Sequence, residues 1–269
     1  MKHHALPLLI ALGLALPAQA NPPAPAAPVR PPSPGAKHQL RGPLWSYDGD
    51  TGPTKWNEVD PKFKGCQTGK RQSPIDIETQ FAERGGVKAV MFNYAPGSVV
   101  LVNGNNTIQV NFTNNGSARF DGLEHKLVQM VFHAPSEEKI DGLATPMGAQ
   151  LIHRAGDTRT AILAIRFKLG KENKALKSIF EKLPTNDAFN ETVDNFNPAD
   201  ILPPNPAYFT YTGSLTTPPC TEGVSWYVMR QTVDISYKQL AAFKARYKAN
   251  ARPVQPLNDR RVMEYIEQQ

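Results

Sequence analysis

The sequence predicts a mainly β domain of the α+β type, exported from the cell that makes it. Three observations carry this. Many apolar segments alternate with polar residues at a period of two, the spacing of a half-buried strand, and turn signals separate them. Two stretches have helical spacing, both in the second half of the chain. The chain opens on a leader-like segment and holds just two cysteines, Cys66 and Cys220.

Met1-Lys2 gives a short positive start, Ala5 to Leu16 is mostly apolar, and Ala18-Gln19-Ala20 is an A-x-A cleavage pattern. Residues 1–20 therefore read as a secretory signal peptide cut near Ala20, which places the mature protein in the periplasm or outside the cell. The apolar run is too short to span a bilayer, and no other segment is apolar enough, so no transmembrane segment is expected. Residues 21–40 carry seven prolines between Pro22 and Pro34 and read as a semi-rigid Pro-rich linker. Residues 41–269 read as one domain, long enough for a sizeable core. The formal charge is +6, with the basic residues scattered; Lys62, Lys64, Lys70 and Arg71 come nearest to a cluster. Scattered charge on an exported chain argues against a nucleic-acid partner. Two cysteines in such a chain most often pair, two buried free thiols being the alternative.

Taken in order, Thr107 to Phe112 alternates cleanly and reads as a strand. Asn114-Asn115-Gly116-Ser117 and Asp121-Gly122 are turn signals. Gln129-Met130-Val131-Phe132-His133 and Gly148-Ala149-Gln150-Leu151-Ile152-His153 read as strands with alternating faces. Residues two apart point to one side, so Gln129, Val131 and His133 share a face, as do Gly148, Gln150 and Ile152. Two adjacent strands of this kind can aim three side chains at one point, which is one way to build a metal site on a sheet. Ala161 to Phe167 is a more buried run, and Val224 to Met229 is another. Leu176, Ile179, Phe180 and Leu183 follow helical spacing after Asn173, a candidate cap. Ser236-Tyr237-Lys238-Gln239 is a capping box that opens a second helix, with Leu240 and Phe243 facing inward.

The two paired segments resemble the metal-binding strands of the α-type carbonic anhydrases, whose pattern is Q-F-H-F-H followed by E-x-H-L-V-H. The resemblance runs from Trp45 to about Val262. It includes Trp45-Ser46-Tyr47, Arg71-Gln72-Ser73-Pro74-Ile75-Asp76-Ile77, Gly213 to Gly223 and Arg252-Pro253-Val254-Gln255-Pro256, in the family's order. It implies the family fold, a large twisted, mostly antiparallel sheet with peripheral helices. It also implies a bridge between Cys66 and Cys220, since the same positions are bridged in many exported members. Exported bacterial relatives are often dimers, so a homodimer is compatible with it.

The resemblance assigns the three zinc-ligand positions to Val131, His133 and Gln150, so one imidazole remains of three. Val131 offers no donor atom, and Gln150 offers a neutral amide oxygen that suits zinc poorly. The family Glu that orients a ligand His matches Gly148. Glu138 replaces another family His that is not a ligand. Other matches persist: Thr216 and Glu137 for the family's Thr–Glu pair, Tyr47 for a Tyr of the solvent network, and Gln129 for a residue that hydrogen-bonds the first ligand. Ile152, Ile162, Leu215, Val224 and Trp226 match the apolar wall of the pocket. The proton-shuttle position is Asn106. His153 matches a buried structural His, and His125 has no family role.

Two functions follow from that departure. The first is a pseudoenzyme: a non-catalytic binding or interaction module that keeps the pocket for an unknown small ligand or protein partner, with no cofactor. The second is an enzyme, carrying out carbon dioxide hydration or another hydrolysis at an altered metal site, with zinc its cofactor in that case alone.

Overall fold

The computed structural model describes residues 44–104, 106–184 and 190–267. The expected signal peptide and Pro-rich linker lie outside the described residues. Among those residues, thirteen strands form one mixed sheet. Its central run, in spatial order, is Gly97–Asn103, Ile108–Phe112, Leu123–His133, Met147–Ala155, Arg159–Leu169, Glu222–Met229 and Tyr208–Ser214. Neighbours in this run are antiparallel except Arg159–Leu169 and Glu222–Met229, which run parallel. The mostly antiparallel sheet expected from the sequence is present.

The strand Arg159–Leu169 is buried along Ala161 to Phe167 because both of its faces are covered. Leu163 and Ile165 enter a large core with Met130, Phe132 and Leu151. Ile162 and Ala164 point the other way, into a smaller core with Ile75, Phe209 and Trp226. A buried Leu, Ile or Phe is worth about 1.5–3 kcal/mol in apolar area, so register is fixed by both faces at once.

Both expected helices form, and both cover the large core. Phe180 and Phe243 pack on Phe132 with ring centroids 5.5 and 6.3 Å away. The first helix is shorter than its spacing suggests, Lys177–Glu181. Pro184 disfavours helical geometry at Leu183, so the apolar spacing outruns the helix. Asn173, the candidate cap, accepts from the Leu176 amide at 3.1 Å in the turn that leads into the helix; the N-cap position itself is Leu176, which has no side-chain cap. The second helix, Tyr237–Lys244, has the expected capping box. Gln239 also accepts from the Asn173 amide at 2.9 Å and donates to the Asn173 carbonyl at 2.8 Å, so one side chain clips the two helix starts together.

Asp121 and Gly122, with φ of 48° and 86°, make the two-residue hairpin turn their sequence suggests. The other turn signal is shorter than expected, because Gly116 and Ser117 already belong to the strand Gly116–Phe120. Cys66 and Cys220 are disulfide-bonded and pack with Trp56. No helix among the described residues is long and apolar enough to cross a membrane.

Candidate functional site

The site lies where the strands Leu123–His133 and Met147–Ala155 pair. Val131 stands opposite Gln150, His133 opposite Gly148, and Gln129 opposite Ile152. That register brings Val131, His133 and Gln150 to one hollow of about 110 Å³. Ile152, Ile162 and Leu215 give it apolar wall; Gln129, Thr216, Tyr47 and Asn106 also line it. Val224 and Trp226 do not reach its surface. They stand behind it in the smaller core, where the Trp226 indole donates to the Ser214 carbonyl at 3.0 Å and the ring stacks on Tyr211.

His133 is 2% exposed. Its Nδ1 lies 2.7 Å from the Asn250 backbone carbonyl, which can only accept, so Nδ1 carries the proton. In the neutral ring Nε2 is then a bare lone pair. It is buried without a hydrogen-bond partner, 3.5 Å from the Glu137 carboxylate. Glu137 itself is held from two sides, by the Gln150 side-chain amide at 2.6 Å and the Arg252 backbone amide at 2.8 Å. The described hydrogen bonds of Glu137 are thus to Gln150 and Arg252, where the family pattern pairs it with the residue at Thr216. Gln129 donates to Asn111 at 2.9 Å. Burial, with Glu137 adding to it, raises the Tyr47 pKa well above its ordinary value.

Two residues that sequence reasoning did not single out complete this centre. Asn250 supplies the carbonyl for His133, and its side chain accepts from the Ala134 amide at 2.8 Å and donates to the Phe132 and Asn106 carbonyls at 2.9 Å each. The Arg252 guanidinium donates to Gln72, to the Ser73 carbonyl and to the Cys66 carbonyl, at 2.7–3.0 Å. Arg252 opens a string already matched to the family. Asn250 has no such signal, because its partners are 116–144 residues away.

Two other residues of the buried set stand apart from the hollow. His153 pairs with the Tyr94 hydroxyl at 2.6 Å, and burial pushes its pKa down to about 3. Glu138 is fully buried, and burial with Glu137 beside it pushes its carboxyl up to about 8.

A hollow on the face of a large β-sheet, lined by one imidazole, several side-chain amides and an apolar wall, is a small-molecule site. The profile of the eukaryotic-type carbonic anhydrases matches residues 51–266. A carbonic anhydrase of Nostoc sp. is 36% identical over 227 residues, 82% of this chain and 86% of the relative. One from Neisseria gonorrhoeae is 38% identical over 222 residues, 82% of this chain and 87% of the relative. The solved α-carbonic anhydrase of Thermovibrio ammonificans, in complex with the inhibitor sulfanilamide, superposes with a TM-score of 0.79 at 38% identity, covering 81% of this chain and 98% of that one. The chain belongs to the α-carbonic anhydrase family.

Two expectations drawn from the sequence are overturned here: that the protein is not an enzyme, and that it needs no cofactor. Both rested on the two missing imidazoles. Relatives matching four-fifths of the chain are named carbonic anhydrases, and zinc is the metal of the family pattern, so the departures from that pattern at Val131 and Gln150 do not carry either conclusion.

The side chains present still do not fit zinc held by three imidazoles. Val131 has no donor atom, and the Gln150 amide is turned to Glu137. Among the described residues no group of three or more His, Cys, Asp or Glu is arranged to hold a metal. What remains is one oriented lone pair, His133 Nε2, beside one carboxylate.

Proposed function

We propose that the protein hydrates carbon dioxide, or hydrolyses a small ester by the same attack of water, at an altered centre built on His133. The observation that carries this is the buried, unpartnered Nε2 of His133 beside Glu137, on a residue that borders a partly apolar hollow. Family membership supports it. The carbon of the substrate rests against Ile152, Ile162 and Leu215. His133 Nε2 takes a proton from water as the water oxygen bonds to that carbon, giving bicarbonate or the tetrahedral adduct of the ester. Glu137 stabilises the imidazolium that forms. The Asn250 carbonyl keeps the ring in the tautomer that leaves Nε2 free to accept.

The test is carbon dioxide hydration by stopped flow and 4-nitrophenyl acetate hydrolysis, with zinc added and after chelation, beside a measurement of bound zinc. The expected result is turnover above buffer that falls roughly 100-fold or more in His133→Ala. A rate equal to buffer under both conditions, or one that His133→Ala leaves unchanged, overturns the proposal.

Export belongs to the same proposal. Residues 1–20 act as the signal peptide and residues 21–40 as a spacer before the domain, with the disulfide suited to an oxidising compartment. Mass spectrometry of the mature N-terminus checks this; an intact Met1 in the exported fraction would refute it.

A further inference from the structure

A second hollow, of about 250 Å³, lies between the Ser46–Asp48 turn and the segment Arg246–Asn250. Tyr47 and Asn106 line both hollows. Asn106 is short and is turned aside: its side-chain amide donates to the Trp45 carbonyl at 3.1 Å, and its own carbonyl accepts from Asn250 at 2.9 Å. The residue at the junction is thereby pinned to the wall.

The two chambers differ in chemistry. The inner one is small and offers apolar wall and side-chain amides. A carbon dioxide molecule, about the size of two waters at ~30 Å³ each, fits in the inner chamber alone. The outer one is larger than that substrate needs and carries two cations, Arg246 and Lys248, against one carboxylate, Asp48. Lys248 meets Asp48 at 3.5 Å, with the two side chains 90% and 70% exposed, a bridge so hydrated that a ligand can compete for it. Arg246 gives one guanidinium nitrogen to the Pro184 carbonyl at 3.1 Å.

We propose that the two hollows form one two-chamber site for an elongated ligand, with an uncharged carbonyl at the inner end and a carboxylate at the outer end. This rests on the function proposed above for its inner half and names the substrate class: a half-ester or similar short monoacid, rather than carbon dioxide alone. The inner end meets the His133 centre, and the outer carboxylate meets Arg246 and Lys248, displacing Asp48 from the latter.

Two readouts test it separately. The first compares hydrolysis of 4-nitrophenyl acetate with that of mono-4-nitrophenyl adipate, which carries an anionic tail too long for fast attack on its own ester. The expected KM is about tenfold lower for the adipate, the factor expected of a charge-assisted contact. Arg246→Ala and Lys248→Ala should each remove most of that advantage and leave the acetate unchanged. Asp48→Asn should lower the adipate KM further, an opposite sign that general damage to the fold would not produce. The second readout is calorimetric binding of adipamate, the monoamide with one uncharged and one anionic end, against acetamide, which needs no turnover. Adipamate binding that weakens in Arg246→Ala without ester hydrolysis would sustain the two-chamber site and sink the hydrolytic reading. Hydrolysis with equal KM for the two esters, and no adipamate binding, would overturn the two-chamber site and leave the hydrolytic reading standing.

Discussion

Asn250 holds the polar floor of the hollow. It is 2% exposed and bonds four partners from two segments. Asn250→Ala keeps the carbonyl to His133 but takes a partner from the Ala134 amide and the Asn106 carbonyl, while the Phe132 carbonyl keeps the Thr107 hydroxyl, so it should cost about 2–3 kcal/mol in urea unfolding. The ligand positions invite the reverse experiment. Val131 and Gln150 face each other across the strand pair with His133 two residues on, so Val131→His with Gln150→His should aim three imidazoles at one point. A zinc titration against a chromophoric chelator should show tighter binding than the parent chain. Adding Gly148→Glu should not help as it would in a member that has Glu there. A Cβ at position 148 would sit 3.1 Å from the Ser136 Cβ, and overpacking of that kind costs about 1–3 kcal/mol. The sequence could name Val131, His133 and Gln150 because the motif aligns them. It could not name the partner of His133, since a backbone carbonyl carries no residue-type signal.

The capping box shows what local sequence can settle. Ser236 and Gln239 close on each other as their spacing says, with the Ser236 hydroxyl accepting from the Gln239 amide at 3.2 Å. Ser236→Ala should therefore lower stability by about 1 kcal/mol, read as a shift in the urea midpoint at constant slope. Its effect should reach the neighbouring helix, because Gln239 also holds Asn173. That second role was not legible: it joins residues 66 apart. The strands were legible for the opposite reason. Alternation at Ile108–Phe112 and the apolar run at Ala161–Phe167 are imposed by one covered face and two covered faces respectively. Helix length was the weaker expectation, since Pro184 stops the coil while Leu183 still packs inward.

Across the whole molecule, two buried groups set opposing responses to pH. His153 titrates near 6.5 when unfolded and about 3 when folded. Between those values the unfolded chain binds a proton that the folded chain refuses, so stability falls as pH drops from 6.5 toward 3. Glu138 titrates near 4.5 when unfolded and about 8 when folded. Here the folded chain keeps a proton that the unfolded chain has lost, so stability falls as pH rises from 4.5 toward 8. Unfolding free energies should be highest between about 4.5 and 6.5, and Glu138→Gln should flatten the alkaline arm alone. An alkaline arm that persists unchanged in Glu138→Gln would show that another group sets it.

The dependence of His133 and Glu137 on Asn250 and Arg252 has a consequence for the order in which the protein is made. Every side chain bordering the inner hollow precedes residue 218. The His133 imidazole and the Glu137 carboxylate beside it are nonetheless oriented by residues 117 and 115 positions further on. A chain emerging N-terminus first has its whole cavity lining in hand long before it has a working centre. A stop codon just ahead of Asn250 would leave every lining residue of the hollow encoded and both residues that orient its chemistry missing.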